Sequence, residues 1–139
     1  MSVPVWVLLA FAGWTLLTLI GSLGVYRLGK IYTGRARPSQ FSFPDLEQSS
    51  YHRRALRAHM NCVENLPVYA AIVIAIVASG VRAPILDRLA LTFLFARMAH
   101  TIIHLAFEQR NRVTLARFFF FVVQLVCMIW MGIFVALHA

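Results

Sequence analysis

Arg57, Asn61 and Glu64 fall at offsets of 0, +4 and +7. At about 100° per residue on an α-helix they lie within about 60° of one another, on one stripe, with Arg54 on the same side. Arg97, Thr101, His104 and Glu108 repeat the pattern at 0, +4, +7 and +11, flanked by His100. Arg117, Phe121, Gln124 and Met128 keep the same spacing again. A guanidinium offers five N–H donors in a planar fork that matches a carboxylate. Arginines ranged beside amide, hydroxyl and imidazole groups therefore suit an anionic, hydrogen-bonding ligand. Two other readings stand beside this one: a buried structural network, and long basic side chains that snorkel to a membrane surface.

The elements that carry these stripes are set by composition. The chain has 139 residues, 60% of them hydrophobic and 13% charged, with a mean hydropathy of +0.75. Soluble domains are about 45–50% apolar and about 25% charged. This chain has too little polar surface to cover a water-soluble globule and too much apolar content for disorder. It reads as an all-α integral membrane protein with room for four spans of about 20 residues. The first 26 residues contain no Asp, Glu, Lys or Arg, and they lack the basic start of a secretory signal. A first span over residues 4–26 follows.

The second apolar run, Leu66 to Val81, is 16 residues. As a helix it is about 24 Å long, short of a hydrocarbon core of about 30 Å. Residues 52–65 contain neither Gly nor Pro. One helix over 52–79 solves the shortfall, with Pro67 denying Val63 its backbone donor and kinking the helix. Further spans are expected over 85–107 and 113–137, giving a single four-helix transmembrane domain with no internal repeat. Residues 27–52, with Gly29, Gly34, Pro38 and Pro44, form a long first loop.

The net charge is +8. Seven of the 13 basic residues lie between Arg27 and Arg57 and three between Arg110 and Arg117. Such clustering at the gaps between apolar runs sets topology and does not describe a nucleic-acid face. Loops one and three are expected in the cytoplasm and both termini on the opposite side. Glu64 lies well inside the second span and calls for a cationic partner, for which Arg97 is the candidate. His100 and His104 have the i, i+4 spacing of two metal ligands, but no third ligand follows at a clear spacing, His59 being available only across helices, so no metal site is expected. Cys62 and Cys127 show neither a metal-knuckle nor a disulfide pattern.

The run Arg57-Ala58-His59-Met60-Asn61-Cys62-Val63-Glu64 resembles the pattern R-A-H-x-N-x-x-E at the start of the second helix of the MAPEG family, membrane-associated proteins of eicosanoid and glutathione metabolism. Arg97-Met98-Ala99-His100-Thr101 is similar to a second family pattern, R-x-x-H-T. The resemblance covers essentially the whole chain. It implies a four-helix bundle assembled as a homotrimer, with glutathione in a cleft between neighbouring subunits near the cytoplasmic side. Its carboxylates would meet arginines, and its thiol would face the lipid, where an apolar small molecule arrives. Carried over by position, Arg27, Arg57, Asn61, Glu64, Arg97 and His104 would contact glutathione. Arg117 would stabilise the thiolate, the nucleophilic form, with Arg110 and Arg112 as alternatives for that role.

Several positions depart from the family pattern. Met60 stands where some members have a second arginine, His104 and Phe121 where some have tyrosine, and Phe118 where some synthases have serine. Two functions are therefore carried forward. One is a glutathione-dependent transferase or peroxidase acting on apolar electrophiles or lipid hydroperoxides. The other is a non-catalytic lipid- or fatty-acid-binding membrane protein of the same fold.

Overall fold

Among the described residues, proline opens two of four helices. Pro4 sits in the first turn of α1 (Val3–Leu19) and Pro84 in that of α3 (Pro84–Ala106). Its fixed φ suits a first turn, and its missing N–H is one that a first turn would leave unpaired anyway. Between them runs α2 (Ser50–Ser79), and α4 (Asn111–His138) completes the chain. The structure, a computed structural model, describes residues 1–21, 50–107 and 110–139. Residues 22–49, which take in the end of the expected first span, Arg27 and most of the first loop, lie outside the described residues, as does Glu108.

Helix α2 has 30 residues, about 45 Å at 1.5 Å per residue. It continues through Pro67. It stops at Gly80, whose φ of +68° reverses the chain after Ser79. Glycine adopts that left-handed conformation without the clash a Cβ would bring. Helices α2, α3 and α4 are each long and apolar enough to cross a membrane, and α1 is a shorter apolar helix. All four helices leave large apolar side chains outside, among them Trp6, Ile74, Phe95, Phe119 and Trp130. Water would not tolerate that surface and lipid does. The chain is an integral membrane four-helix bundle.

Helices α2 and α3 form the centre; α1 and α4 lie on opposite sides of that pair, each touching both. The core has two halves. One is aromatic: Tyr69 stacks on Phe93 at 4.5 Å, and Phe11 meets Phe93 edge-on at 5.3 Å. The Tyr69 hydroxyl donates to the Pro4 carbonyl at 3.1 Å, tying α2 to the start of α1. Tyr69→Phe is expected to cost about 1 kcal/mol, the net worth of one such bond, read as a lower unfolding temperature in detergent. The other half is polar. There α2 turns Ala55, Ala58 and Cys62 inward. These small side chains let the helices approach closely, and the polar groups of α3 close the gap.

Candidate functional site

Arg97 is the centre of the polar half and is 0% exposed. Its Nη1 donates to the Asn61 backbone carbonyl at 3.1 Å, and its Nη2 is bonded to Nδ1 of His100. A buried cation normally finds a carboxylate. Here a helix carbonyl and an imidazole take that place. The expected pairing of Glu64 with Arg97 does not form: Glu64 is exposed on the outer face of α2. A stripe calculation groups residues on one helix but does not say which way the stripe faces. The inward face of α2 is fixed by the small residues, which turns Arg57 and Glu64 outward. Arg97, expected as a ligand contact, is wholly enclosed by its own chain.

Thr101, one turn further along α3, joins three helices. Its hydroxyl donates to the Arg97 carbonyl at 3.0 Å. With its hydrogen committed, Oγ1 accepts from Trp14 Nε1 of α1 at 3.1 Å and from the Cys62 thiol of α2 at 3.7 Å. On the α1 side, Thr18 donates to the Thr15 carbonyl, so its oxygen accepts from Nδ1 of His59 at 3.0 Å. The roles of Trp14 and Thr18 are not visible in the stripes. A signal for Trp14 was present all the same: an indole N–H in an otherwise apolar span must find an acceptor within the protein.

His104 lies where this network reaches the surface. Its Nδ1 is 3.0 Å from Arg117 Nη1 on α4, and its Nε2 is 3.3 Å from the Asn61 side-chain amide on α2. Arg117 Nη2 reaches Thr114 Oγ1 at 3.4 Å. Arg57, exposed on α2, is near enough for its charge to be felt at both His104 and Arg117. The structure thus brings together Arg57, Asn61, His104 and Arg117. Of the three basic residues near the start of α4, Arg117 is the one that bonds His104, while Arg110 and Arg112 are exposed at the helix end.

Further along α4, Gln124 is buried and donates both amide hydrogens, to the Phe120 carbonyl at 3.0 Å and to the Ala96 carbonyl of α3 at 3.4 Å. It holds α4 against α3 at the level of Arg97. Among the described residues no group of three His, Cys, Asp or Glu could hold a metal ion. The Nδ1 atoms of His100 and His104 both face an arginine.

The chemistry of this region is cationic. Arg97 and Arg117 bond no carboxylate among the described residues, and Arg57 adds a third positive charge beside them. A guanidinium with donors to spare at the edge of an apolar bundle is a receiver for an anion. The fold and this seam define a class: a helical membrane protein with a basic polar site let into its bundle. The MAPEG family model matches residues 5–137, and the chain belongs to that family. Comparison with curated proteins and with solved structures returned no match.

Proposed function

We propose that the protein is a glutathione-dependent transferase whose site is completed between neighbouring copies in a homotrimer. Support comes from one observation above the others. Arg117 is held by His104 and Thr114 through two of its five N–H donors, and the rest are left for a ligand. Family membership gives the chemical context, a membrane protein of glutathione and eicosanoid metabolism. Arg57 and Glu64 face out of the single bundle, so a pocket built on them needs a second surface, which another copy supplies. In this reading Arg57 meets a glutathione carboxylate and Glu64 its ammonium. Arg117 stabilises the sulfur as it loses its proton to solvent. The thiolate then attacks a carbon of an apolar electrophile: the carbon–sulfur bond forms, the bond to a halide breaks, and the halide leaves with its electron pair. Exposed Met60, Phe118 and Phe121 supply apolar surface for that partner. In this reading the basic loops lie in the cytoplasm, where such a thiol is reduced, and the site opens towards that side.

The test uses the purified full chain in detergent. Reduced glutathione is expected to raise the unfolding temperature, and a small aromatic halide is expected to release halide ion in its presence. Stabilisation by a fatty acid with none by glutathione would instead favour the non-catalytic lipid-binding reading. Stabilisation by a different thiol would keep the chemistry and change the substrate.

A further inference from the structure

The two ring nitrogens of His104 face two different helices, and their hydrogen-bond partners restrict which of them carries the proton. A guanidinium has no acceptor atom, so Nδ1, 3.0 Å from Arg117 Nη1, must present a lone pair to it. The proton of the neutral ring is then on Nε2, which must donate. The atom 3.3 Å from Nε2 is Nδ2 of the Asn61 side-chain amide, and two donors cannot bond each other. The two ends of the amide have the same shape, and a half-turn that exchanges them brings the one acceptor, the oxygen, to His104.

Asn61 is itself fixed. Its backbone carbonyl receives Arg97 Nη1 at 3.1 Å and the Asn65 side-chain amide at 2.9 Å. A continuous line of donors and acceptors therefore runs from the enclosed Arg97 through Asn61 and His104 to Arg117, crossing from α3 to α2, back to α3 and on to α4. The other charged or titratable groups near His104 are Arg57 on α2 and His100 on α3, whose ring lies 4.8 Å away. None of these offers a second acceptor for the Nε2 proton in the described contacts.

We infer that His104 is a positioning residue for Arg117, and that the Asn61 side-chain oxygen receives the Nε2 proton of the tautomer this requires. The inference rests on the reading of Arg117 as the group that meets the thiolate. It assigns Asn61 a task other than ligand contact, because its oxygen is committed to His104 and its carbonyl to Arg97. It also gives a reason for an imidazole at this position: a phenol would offer one atom, while the ring serves two helices through two.

Two amide variants separate the two nitrogens. An asparagine at 104 places its side-chain oxygen where Nδ1 was, and a glutamine places its terminal amide where Nε2 was. His104→Asn is expected to keep most of kcat for conjugation. His104→Gln keeps a link towards Asn61 and loses the brace on Arg117; it is expected to lower kcat by about 10²-fold, the cost of a misplaced catalytic group, with KM for glutathione unchanged. Equal losses in the two variants, or a rise in KM alone, would overturn the assignment. The tautomer is read independently of activity from the imidazole ¹⁵N resonances of the full chain in detergent. The expected form carries its proton on Nε2, with an Nδ1 resonance that moves in Arg117→Met. An Nδ1–H tautomer, or an Nδ1 resonance indifferent to that substitution, would sink the inference. Should the protein show no conjugation while the tautomer and its response to Arg117→Met are as expected, the positioning stands and only the transferase reading fails.

Discussion

Arg117→Ala is expected to lower kcat for glutathione conjugation by about 10²–10³-fold, the effect of removing one donor aimed at developing negative charge. KM for glutathione should change little, because the contacts to the carboxylate and ammonium of the thiol peptide are assigned to Arg57 and Glu64. Arg117 is half-buried and braced by only two contacts, at 3.0 Å and 3.4 Å. Its loss also relieves repulsion from Arg57. Stability should therefore fall by no more than about 1.5 kcal/mol, the net worth of one hydrogen bond, and the oligomer should survive. Partial recovery of rate by added guanidinium ion would separate a missing charge from a disturbed fold. An unchanged rate in a folded Arg117→Ala protein would remove Arg117 from the chemistry and, with it, the reason for bracing it. Arg112→Ala is the matched control, since Arg112 is exposed at the helix end.

Four apolar runs became four helices because composition and length leave a membrane chain few other choices. The spacing of Arg97, Thr101 and His104 also carried through: all three are buried on one face of α3. What spacing could not supply was azimuth. In a soluble helix the apolar stripe identifies the inward face, but in a membrane both faces are apolar and close approach of small residues decides. Ala55, Ala58 and Cys62 turn α2 so that Asn61 is only partly covered and Glu64 faces out. Pairing Glu64 with Arg97 by opposite sign passed over this rotation. It also passed over backbone carbonyls as partners, although it is the Asn61 carbonyl that receives Arg97. The choice among Arg110, Arg112 and Arg117 was open in the sequence for a related reason. The packing of α4 against α3 sets how far along α4 a side chain must lie to stand opposite His104, and that register is not written in the spacing.

Arg97→Lys is expected to destabilise the bundle by about 2 kcal/mol, although it keeps the charge. The guanidinium fork reaches the Asn61 carbonyl on α2 and His100 on α3 with two different nitrogens. An ammonium on a flexible stem is a single point that cannot satisfy both in one geometry. One hydrogen bond to a charged group is lost, worth about 1.5–3 kcal/mol, while a fully buried charge stays behind. Arg97 Nε already has no partner among the described residues, so the site has no reserve of contacts to offset the loss. Arg97→Met sets the sign of the argument. It removes the buried charge together with its desolvation cost, and the Asn61 carbonyl still holds the Asn65 amide at 2.9 Å. Methionine is therefore expected to be the milder of the two, an order opposite to that of a surface arginine, where charge matters more than shape. Denaturation of the detergent-solubilised protein would rank them. If lysine proved as stable as arginine, the fork would be irrelevant and the line from Arg97 to Arg117 would be no more than proximity.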